Sequence, residues 1–200
     1  KAFFFDLQKI NKGASRPSKE LYPVWKSKKV GVLGAGMMGQ GIAYVSAMSG
    51  IEVVLLDMNL EAAERGKGYS QKLLDKRVAK GSMTKEAAAE KLALIKASND
   101  YADLAGCDLV IEAVFESREI KADVTKKVEA VCNPELVFAS NTSTLPITGL
   151  ATASQHPQNF IGLHFFSPVD KMPLVEIICG EKTNDETLAK AFDYVLQIKK

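Results

Sequence analysis

The glycine-rich turn Gly34–Gly39 (Gly-Ala-Gly-Met-Met-Gly) follows an apolar run and opens a helix-like stretch. In a turn of this kind Gly34 permits the tight bend, Gly36 lets the backbone approach a pyrophosphate, and Gly39 lets the helix pack closely on the strand. Asp57 ends the next apolar run, 23 positions after Gly34. A carboxylate there can accept both hydroxyls of an adenosine ribose and would repel the 2′-phosphate of NADP. The sequence therefore predicts a dinucleotide site that prefers NAD.

A glycine-rich turn is weak evidence by itself, because glycine adopts positive φ angles without strain and such turns also arise for purely conformational reasons. Here the strand-like run before the turn, the helix-like stretch after it and the acidic residue Asp57 all fit one binding unit. Their agreement favours dinucleotide binding over a structural turn.

His164 and Glu176 are candidates for acid–base chemistry. His164 ends the apolar run Phe160–His164, and a histidine titrates near neutrality and can exchange a proton with an alcohol. Taken alone, it would more simply be a satisfied core histidine. Glu176 lies among apolar residues in Leu174–Ile178, where an unpaired carboxylate would cost on the order of a few kcal/mol. An imidazolium is a suitable partner for it, and Lys171, backbone amides or a solvated strand face are the alternatives.

Further polar groups follow the ends of other apolar runs. Glu112 and Glu116 come after one run, and Ser140–Ser143 come after the next. Ligands of open parallel sheets bind beyond the carboxyl ends of the strands, so these groups and His164 are predicted to share one site. His156 lies in a polar loop and is predicted at the surface.

From Lys29 onward, short apolar runs alternate with helix-like stretches, which predicts an α/β fold of the Rossmann type with a doubly wound, mainly parallel sheet. The predicted strands are Val30–Leu33, Val53–Leu56, Leu109–Glu112, Val137–Ser140, Phe160–His164 and Leu174–Ile178. The predicted helices are Met38–Ser49, Leu60–Lys80, Thr84–Leu94, Ile120–Cys132 and a closing helix from near Asn184. The second and third of these form a helical hairpin between the second and third predicted strands.

Residues 1–28 differ in composition from the rest of the chain. Ala2–Ile10 is compatible with a short helix that has an aromatic face, and Asn11–Pro17 is rich in Gly, Ser and Lys. We expect residues 1–28 to be a linker or N-terminal extension that joins an upstream region to an NAD-binding domain over residues 29–200. Because the residues of this sequence after the closing helix are few, we expect them not to build the second wall that would enclose a substrate.

The composition, with 46% hydrophobic and 25% charged residues, suits a globular protein. The net charge of +2 gives no signature of nucleic-acid binding, and no apolar run is long enough for a membrane span. The three cysteines, Cys107, Cys132 and Cys179, lack metal-ligand spacing, so no metal is predicted. Reduced, buried thiols in a cytoplasmic protein are expected.

Together these motifs resemble the NAD-binding domain of the L-3-hydroxyacyl-CoA dehydrogenase family over about residues 28–200. The resemblance is carried by Val32–Ala43, Ile111–Glu116, Ser140–Ser143, His164–Val169 and Met172–Glu176, of which the last two are highly specific. Residues 1–28 resemble the linker that follows the hydratase/isomerase region of multifunctional fatty-acid oxidation proteins. The resemblance implies NAD-dependent oxidation of L-3-hydroxyacyl-CoA to 3-ketoacyl-CoA in fatty-acid β-oxidation.

The resemblance also implies roles for individual residues. His164 would take the proton of the substrate 3-hydroxyl, Glu176 would orient His164, and Ser143 would hydrogen-bond the substrate oxygen. The cofactor-binding residues it implies are Gly34, Gly36, Met38, Gly39, Asp57, Glu116, Lys121 and Asn141. For Lys121, a solvated helix position is the alternative. Lys72, Lys76 and Lys80 share one helix face and would approach coenzyme A, with a solvated basic face as the favoured alternative.

The chain departs from the family in two respects. Ser167 stands where the family usually has asparagine, which would alter contacts to the thioester or the loop. The family's helical C-terminal domain, which supplies part of the acyl-CoA site, has no counterpart, so we expect the chain to be a fragment that binds NAD but catalyses poorly alone on its acyl-CoA substrate. A thiolase subunit or a homo-oligomer for the parent protein stays open. The alternative functions are a noncatalytic NAD-binding or assembly module and a related β-hydroxyacid dehydrogenase, which typically uses a lysine.

Overall fold

The computed structural model describes residues 16–200. Its strands are β1 Lys29–Leu33, β2 Glu52–Leu56, β3 Ile95–Ser98, β4 Leu109–Glu112, β5 Val137–Ser140, β6 Phe160–Phe165 and β7 Val175–Cys179. They form one sheet in the order β3-β2-β1-β4-β5-β6-β7. Neighbouring strands are parallel except β6 and β7, which are antiparallel. The predicted doubly wound, mainly parallel sheet is confirmed. The helix predicted at residues 2–10 lies outside the described residues.

The prediction was wrong at β3, where the sequence analysis places no strand. Ile95–Ser98 pairs in parallel with β2 at the edge of the sheet. Only Ile95 and Ser98 are buried, whereas Lys96 is exposed. An edge strand needs no continuous apolar run because one side of it faces solvent. The signal that identified the central strands is therefore missing here.

The helices are α1 Met37–Met48, α2 Leu60–Ala79, α3 Lys85–Ala93, α4 Arg118–Val131, α5 Ile147–Leu150 and α6 Asp185–Gln197. Four of them begin at side-chain caps, in which Asn59, Thr84, Ser117 and Asn184 each accept a backbone N–H of the first turn. The cap at Ser117 explains why α4 begins two residues before the predicted start. Short 3₁₀ turns occur at Tyr101–Leu104, Ala151–Ala153 and Pro157–Asn159.

Alternate residues of the central strands face two separate apolar layers. Val30 and Val32 pack with residues of α1 and α6 on one face, while Leu33 and Val54 pack with residues of α4 and α5 on the other. Both faces of the sheet are thus covered, which is why the central strands are apolar throughout. Each large side chain buried in this way contributes about 1.5–3 kcal/mol to folding.

The segment at residues 16–28 lies against the domain through a buried ion pair. Arg16 donates from Nε and Nη2 to the two oxygens of Asp193 on α6, at 2.7 and 2.8 Å, and both side chains are almost fully buried. The backbone N–H of Trp25 donates to the same carboxylate. Ser27 donates to Asp108, which directly precedes β4. The linker assigned to residues 1–28 stays a prediction.

None of the helices formed by residues 16–200 combines the length and the apolar character that crossing a membrane requires.

Candidate active site

The glycine turn at the end of β1 brings the backbone of α1 and of the β4–α4 loop close together. Gly34 has φ +90°, and a Cβ there would lie 2.5 Å from the carbonyl oxygen of Ala113. A Cβ at Gly39 would lie 1.6 Å from the carbonyl oxygen of Gly34. A Cβ at Gly36 would meet no atom within 4 Å. The first and third glycines are thus required by packing, whereas the second leaves open space at the N-terminus of α1, where a phosphate would be stabilised.

Asp57 lies at the carboxyl end of β2, directly beside the glycine turn. Its Oδ2 accepts the N–H of Ala35 at 2.7 Å, and its Oδ1 accepts the N–H of Met58 at 2.7 Å. Asp57 also lines a cavity of about 520 Å³ together with Gly34 and Gly36. The carboxylate is therefore fixed next to the turn, in the position that a ribose-binding residue needs.

Two exposed apolar side chains at this cavity were missed by the sequence analysis. Met58 is 94% exposed and Phe115 is 79% exposed, and both line the cavity. Large apolar groups left in water at a cavity rim favour a ligand that covers them, and a planar adenine ring fits that requirement. The sequence did contain a signal for Met58, because it is an apolar residue directly after the predicted ribose-binding Asp57.

A second cavity, of about 360 Å³, collects the other predicted site residues. Its lining contains Met38, Glu116, Asn141, Ser143 and His164. These residues come from α1, from the loop after β4, from the loop after β5 and from β6, so the sheet brings together side chains that are far apart in sequence. Ser167 of the loop after β6 also lines this cavity, and Ser143 is exposed in it.

His164 and Glu176 are direct cross-strand neighbours on β6 and β7. His164 Nδ1 lies 3.3 Å from Glu176 Oε2, which favours the predicted partner over Lys171, backbone amides or solvent. The side chains are 21% and 24% exposed. The Phe166 ring packs on the imidazole with its centroid 4.7 Å away. Because the carboxylate engages Nδ1, Nε2 is the nitrogen left for proton exchange with a ligand.

Asn141 joins the loop after β5 to the end of β6. Its Oδ1 accepts the N–H of Phe165 at 2.8 Å, and its own N–H donates to the carbonyl oxygen of Glu112 at 2.9 Å. These bonds hold the polar loop against the strand that carries His164. The Asn141 amide nitrogen keeps its donors for a ligand.

Lys121 occupies a buried position on α4, so its alternative assignment as a solvated helix residue was wrong. Its Nζ donates to both carboxylate oxygens of Glu112 at 2.8 and 2.9 Å and lies 3.7 Å from Glu116 Oε2. Glu112 is fully buried. A direct contact from Lys121 to the cofactor stays a prediction, and in this structure the ammonium is already held by two carboxylates.

The remaining candidates lie away from the two cavities or are unavailable for chemistry. Lys72 and Lys76 on α2 and Lys80 directly after it are exposed, which agrees with the favoured alternative of a solvated basic face. Cys107 is buried, which raises the pKa of its thiol to about 12. Cys179 is exposed because it ends β7 at the edge of the sheet. The expectation that all three thiols are buried was therefore wrong. Within residues 16–200 no cluster of His, Cys, Asp and Glu could hold a metal ion.

Comparisons with known proteins identify relatives of this domain. Residues 29–200 match the family described as 3-hydroxyacyl-CoA dehydrogenase, NAD binding domain. The fatty acid oxidation complex subunit alpha of Psychrobacter arcticus is 43% identical over 186 residues, which are 93% of this chain and 26% of that protein. The chain therefore spans about a quarter of the length of the curated relatives it matches.

Solved structures show the same similarity. The (S)-3-hydroxybutyryl-CoA dehydrogenase from Ralstonia eutropha has a TM-score of 0.84 and 38% identity, and the match covers 88% of this chain and 62% of that one. The 3-hydroxybutyryl-CoA dehydrogenase from Escherichia coli K12 has a TM-score of 0.85 and 35% identity, with 88% and 37% covered. At these identities the similarity supports membership of one family as well as a shared fold.

The residues at the two cavities fit a dinucleotide. The open space at Gly36 leaves room for a pyrophosphate, Asp57 is fixed beside it, and the second cavity shares Ala113 and Val114 with the first. Both the family and the solved relatives indicate NAD as the cofactor. The chain belongs to the 3-hydroxyacyl-CoA dehydrogenase family, in which it corresponds to the NAD-binding domain.

Proposed function

We propose that this domain oxidises the 3-hydroxyl of L-3-hydroxyacyl-CoA to a ketone with NAD⁺, as a step of fatty-acid β-oxidation. The observation that supports the proposal is His164, which is paired with Glu176 and lines the same cavity as Asn141 and Ser143. A proton acceptor, its carboxylate partner and two polar groups thus lie beside the glycine turn that binds the dinucleotide. Alcohol oxidation by hydride transfer needs this combination.

Each residue has a step in the proposed mechanism. When bound, the nicotinamide supplies the hydride acceptor. His164 Nε2 removes the hydroxyl proton, and Glu176 stabilises the imidazolium that results. Ser143 donates a hydrogen bond to the substrate oxygen, and Asn141 lines the nicotinamide-ribose side. Among residues 16–200, no lysine lines this cavity, which disfavours the lysine-based chemistry of β-hydroxyacid dehydrogenases.

The length of the relatives supports a role within a larger protein. The chain covers 26% of the Psychrobacter arcticus protein, which is named as a subunit of a fatty acid oxidation complex. We expect further regions to complete the acyl-CoA site, and we expect the parent protein to act in the cytoplasm with a partner such as a thiolase subunit. Assembly as a homo-oligomer is the other arrangement that we propose to test.

Turnover of acetoacetyl-CoA with NADH, followed by the loss of NADH absorbance, tests the proposed function. The protein should be assayed as it is and extended by the C-terminal region that longer relatives carry, with His164→Ala as the inactive variant. We expect activity in the extended protein that His164→Ala abolishes, with NADH binding retained in both. NADH binding without turnover in the extended protein would instead favour a noncatalytic NAD-binding module.

A further inference from the structure

A charge cluster that is buried at Glu112 and Lys121 reaches the cavity that contains His164 through Glu116, and the proposed mechanism does not use it. Glu112 ends β4 and is fully buried. Its carboxylate accepts two hydrogen bonds from Lys121, one from the N–H of Val114 at 3.2 Å and one from the hydroxyl of Ser140. Every contacting group donates, so the carboxyl group fits its surroundings as an anion. Burial raises the pKa of Glu112 above its usual value, and the charge and hydrogen bonds of Lys121 offset only part of that shift.

Lys121 also serves a second carboxylate. Its Nζ lies 3.7 Å from Glu116, which lines the cavity that contains His164. Burial raises the pKa of Glu116, but hydrogen bonds from Thr142 and the charge of Lys121 outweigh this and leave the pKa below its usual value. One ammonium is therefore shared by two ionised carboxylates. The three side chains carry a net charge of −1.

We propose that the Glu112–Lys121–Glu116 cluster sets a negative charge beside the nicotinamide and thereby favours NAD⁺, whose ring is cationic, over NADH, whose ring is neutral. The inference rests on the proposed function, because hydride transfer requires the nicotinamide to lie at the cavity that contains His164. One unit of charge at about 10 Å, at an effective dielectric constant of about 20, changes affinity on the order of tenfold. In this role Lys121 limits the negative charge to one unit.

The cluster also joins the two loops that form the cavity, so a purely structural role has to be separated from the electrostatic one. Glu112 accepts from the β4–α4 loop at Val114 and from Ser140 at the end of β5. Loss of these bonds would disturb the site for NAD⁺ and NADH alike. The ratio of the two dissociation constants removes that common effect, because both forms share the same adenosine, pyrophosphate and ribose contacts.

The experiment measures the dissociation constants of NAD⁺ and NADH for the protein and for a series of charge variants. Glu112→Gln and Glu116→Gln each bring the cluster from −1 to neutral, so we expect the ratio Kd(NAD⁺)/Kd(NADH) to rise on the order of tenfold. The double variant Glu112→Gln/Lys121→Met returns the cluster to −1 and should restore the ratio. Glu135→Gln, an exposed position in the α4–β5 loop, is the matched control and should leave the ratio unchanged.

Equal weakening of both forms in the two glutamine variants would assign a structural role only and would overturn the inference. Failure of the double variant to restore the ratio would do the same. If Glu112→Gln does not fold, Glu116→Gln decides alone, because the Glu116 side chain is 36% exposed and its loss leaves no cavity. If the unmodified protein binds neither form, the proposed function is contradicted and the inference fails with it.

Discussion

Alanine at two glycines of the same turn should have opposite consequences, and the difference follows from the space around each Cβ. In Gly39→Ala the new Cβ would lie 1.6 Å from the backbone oxygen of Gly34, where real Cβ atoms stay beyond 3.0 Å. The two backbones must therefore separate by about 1.4 Å. In Gly36→Ala the new Cβ meets nothing within 4 Å, and the φ of −71° at this position suits alanine.

The expected magnitudes follow from these distances. Overpacking costs about 1–3 kcal/mol where side chains can yield, and more where, as at Gly39, the obstacle is backbone. A loss of about 3 kcal/mol lowers the melting temperature of a domain of this size by about 6–12 °C. Gly36→Ala should leave the melting temperature within about 2 °C. It should still weaken NADH binding at least tenfold, because the methyl group occupies the space for the pyrophosphate.

Thermal unfolding by circular dichroism and NADH binding by fluorescence, both on the same two variants, would check this. A stable Gly39→Ala protein would show that α1 does not pack on β1 as closely as described. Unchanged NADH affinity in Gly36→Ala would show that the dinucleotide does not pass over this glycine. Either result would refute the reasoning that assigns one glycine to packing and the other to the ligand.

Three further outcomes are expected. Glu176→Gln should lower the rate of acetoacetyl-CoA reduction in the extended protein by a factor of about 10²–10⁴, because the amide cannot stabilise the His164 imidazolium. The affinity for NADH should stay constant, and an unchanged rate would exclude the pair from catalysis. Asp57→Asn should lower the preference for NADH over NADPH by about tenfold or more, since the 2′-phosphate is no longer repelled. The preference is measured as the ratio of the two dissociation constants, and an unchanged ratio would place the adenosine ribose away from Asp57. Arg16→Met should lower the free energy of unfolding, measured in urea, by about 3–5 kcal/mol, and the double variant Arg16→Met/Asp193→Leu should regain most of the lost stability. No loss of stability in the single variant would show that residues 16–28 do not pack against α6.

The sequence predicts those parts of the fold and the site that depend on local pattern. The central strands are apolar because both faces are covered, and the glycine turn carries its own spacing, so β1, α1 and Asp57 could be located from neighbouring residues. The placement of Glu176 beside His164 needed the strand pairing of β6 and β7 as well. It could be anticipated because a lone carboxylate in an apolar strand demands a partner.

Other features depend on long-range geometry and could not be predicted. The Arg16–Asp193 pair joins residues 177 positions apart, and no local pattern marks either as a partner. The contact of Lys121 with Glu112 depends on the path of the β4–α4 loop, so the same lysine was compatible with a solvated helix surface. Strand β3 lacks an apolar run because it lies at the sheet edge. In each case the missing information is which distant surface covers the residue.

The His164–Glu176 and Lys121–Glu112 pairs differ in burial, and the difference matches the role that we propose for each pair. His164 and Glu176 are 21% and 24% exposed, and the proton acceptor that we propose must remain accessible to its substrate. The side chains of Glu112 and Lys121 are 1% and 3% exposed, and there each charge is held by the other and cannot be lost without leaving a buried ion unpaired. The fixed field that we propose needs charges held in place, and the contact between these two buried groups holds them there. The burial of the second pair therefore argues for an electrostatic role and against a part in proton transfer.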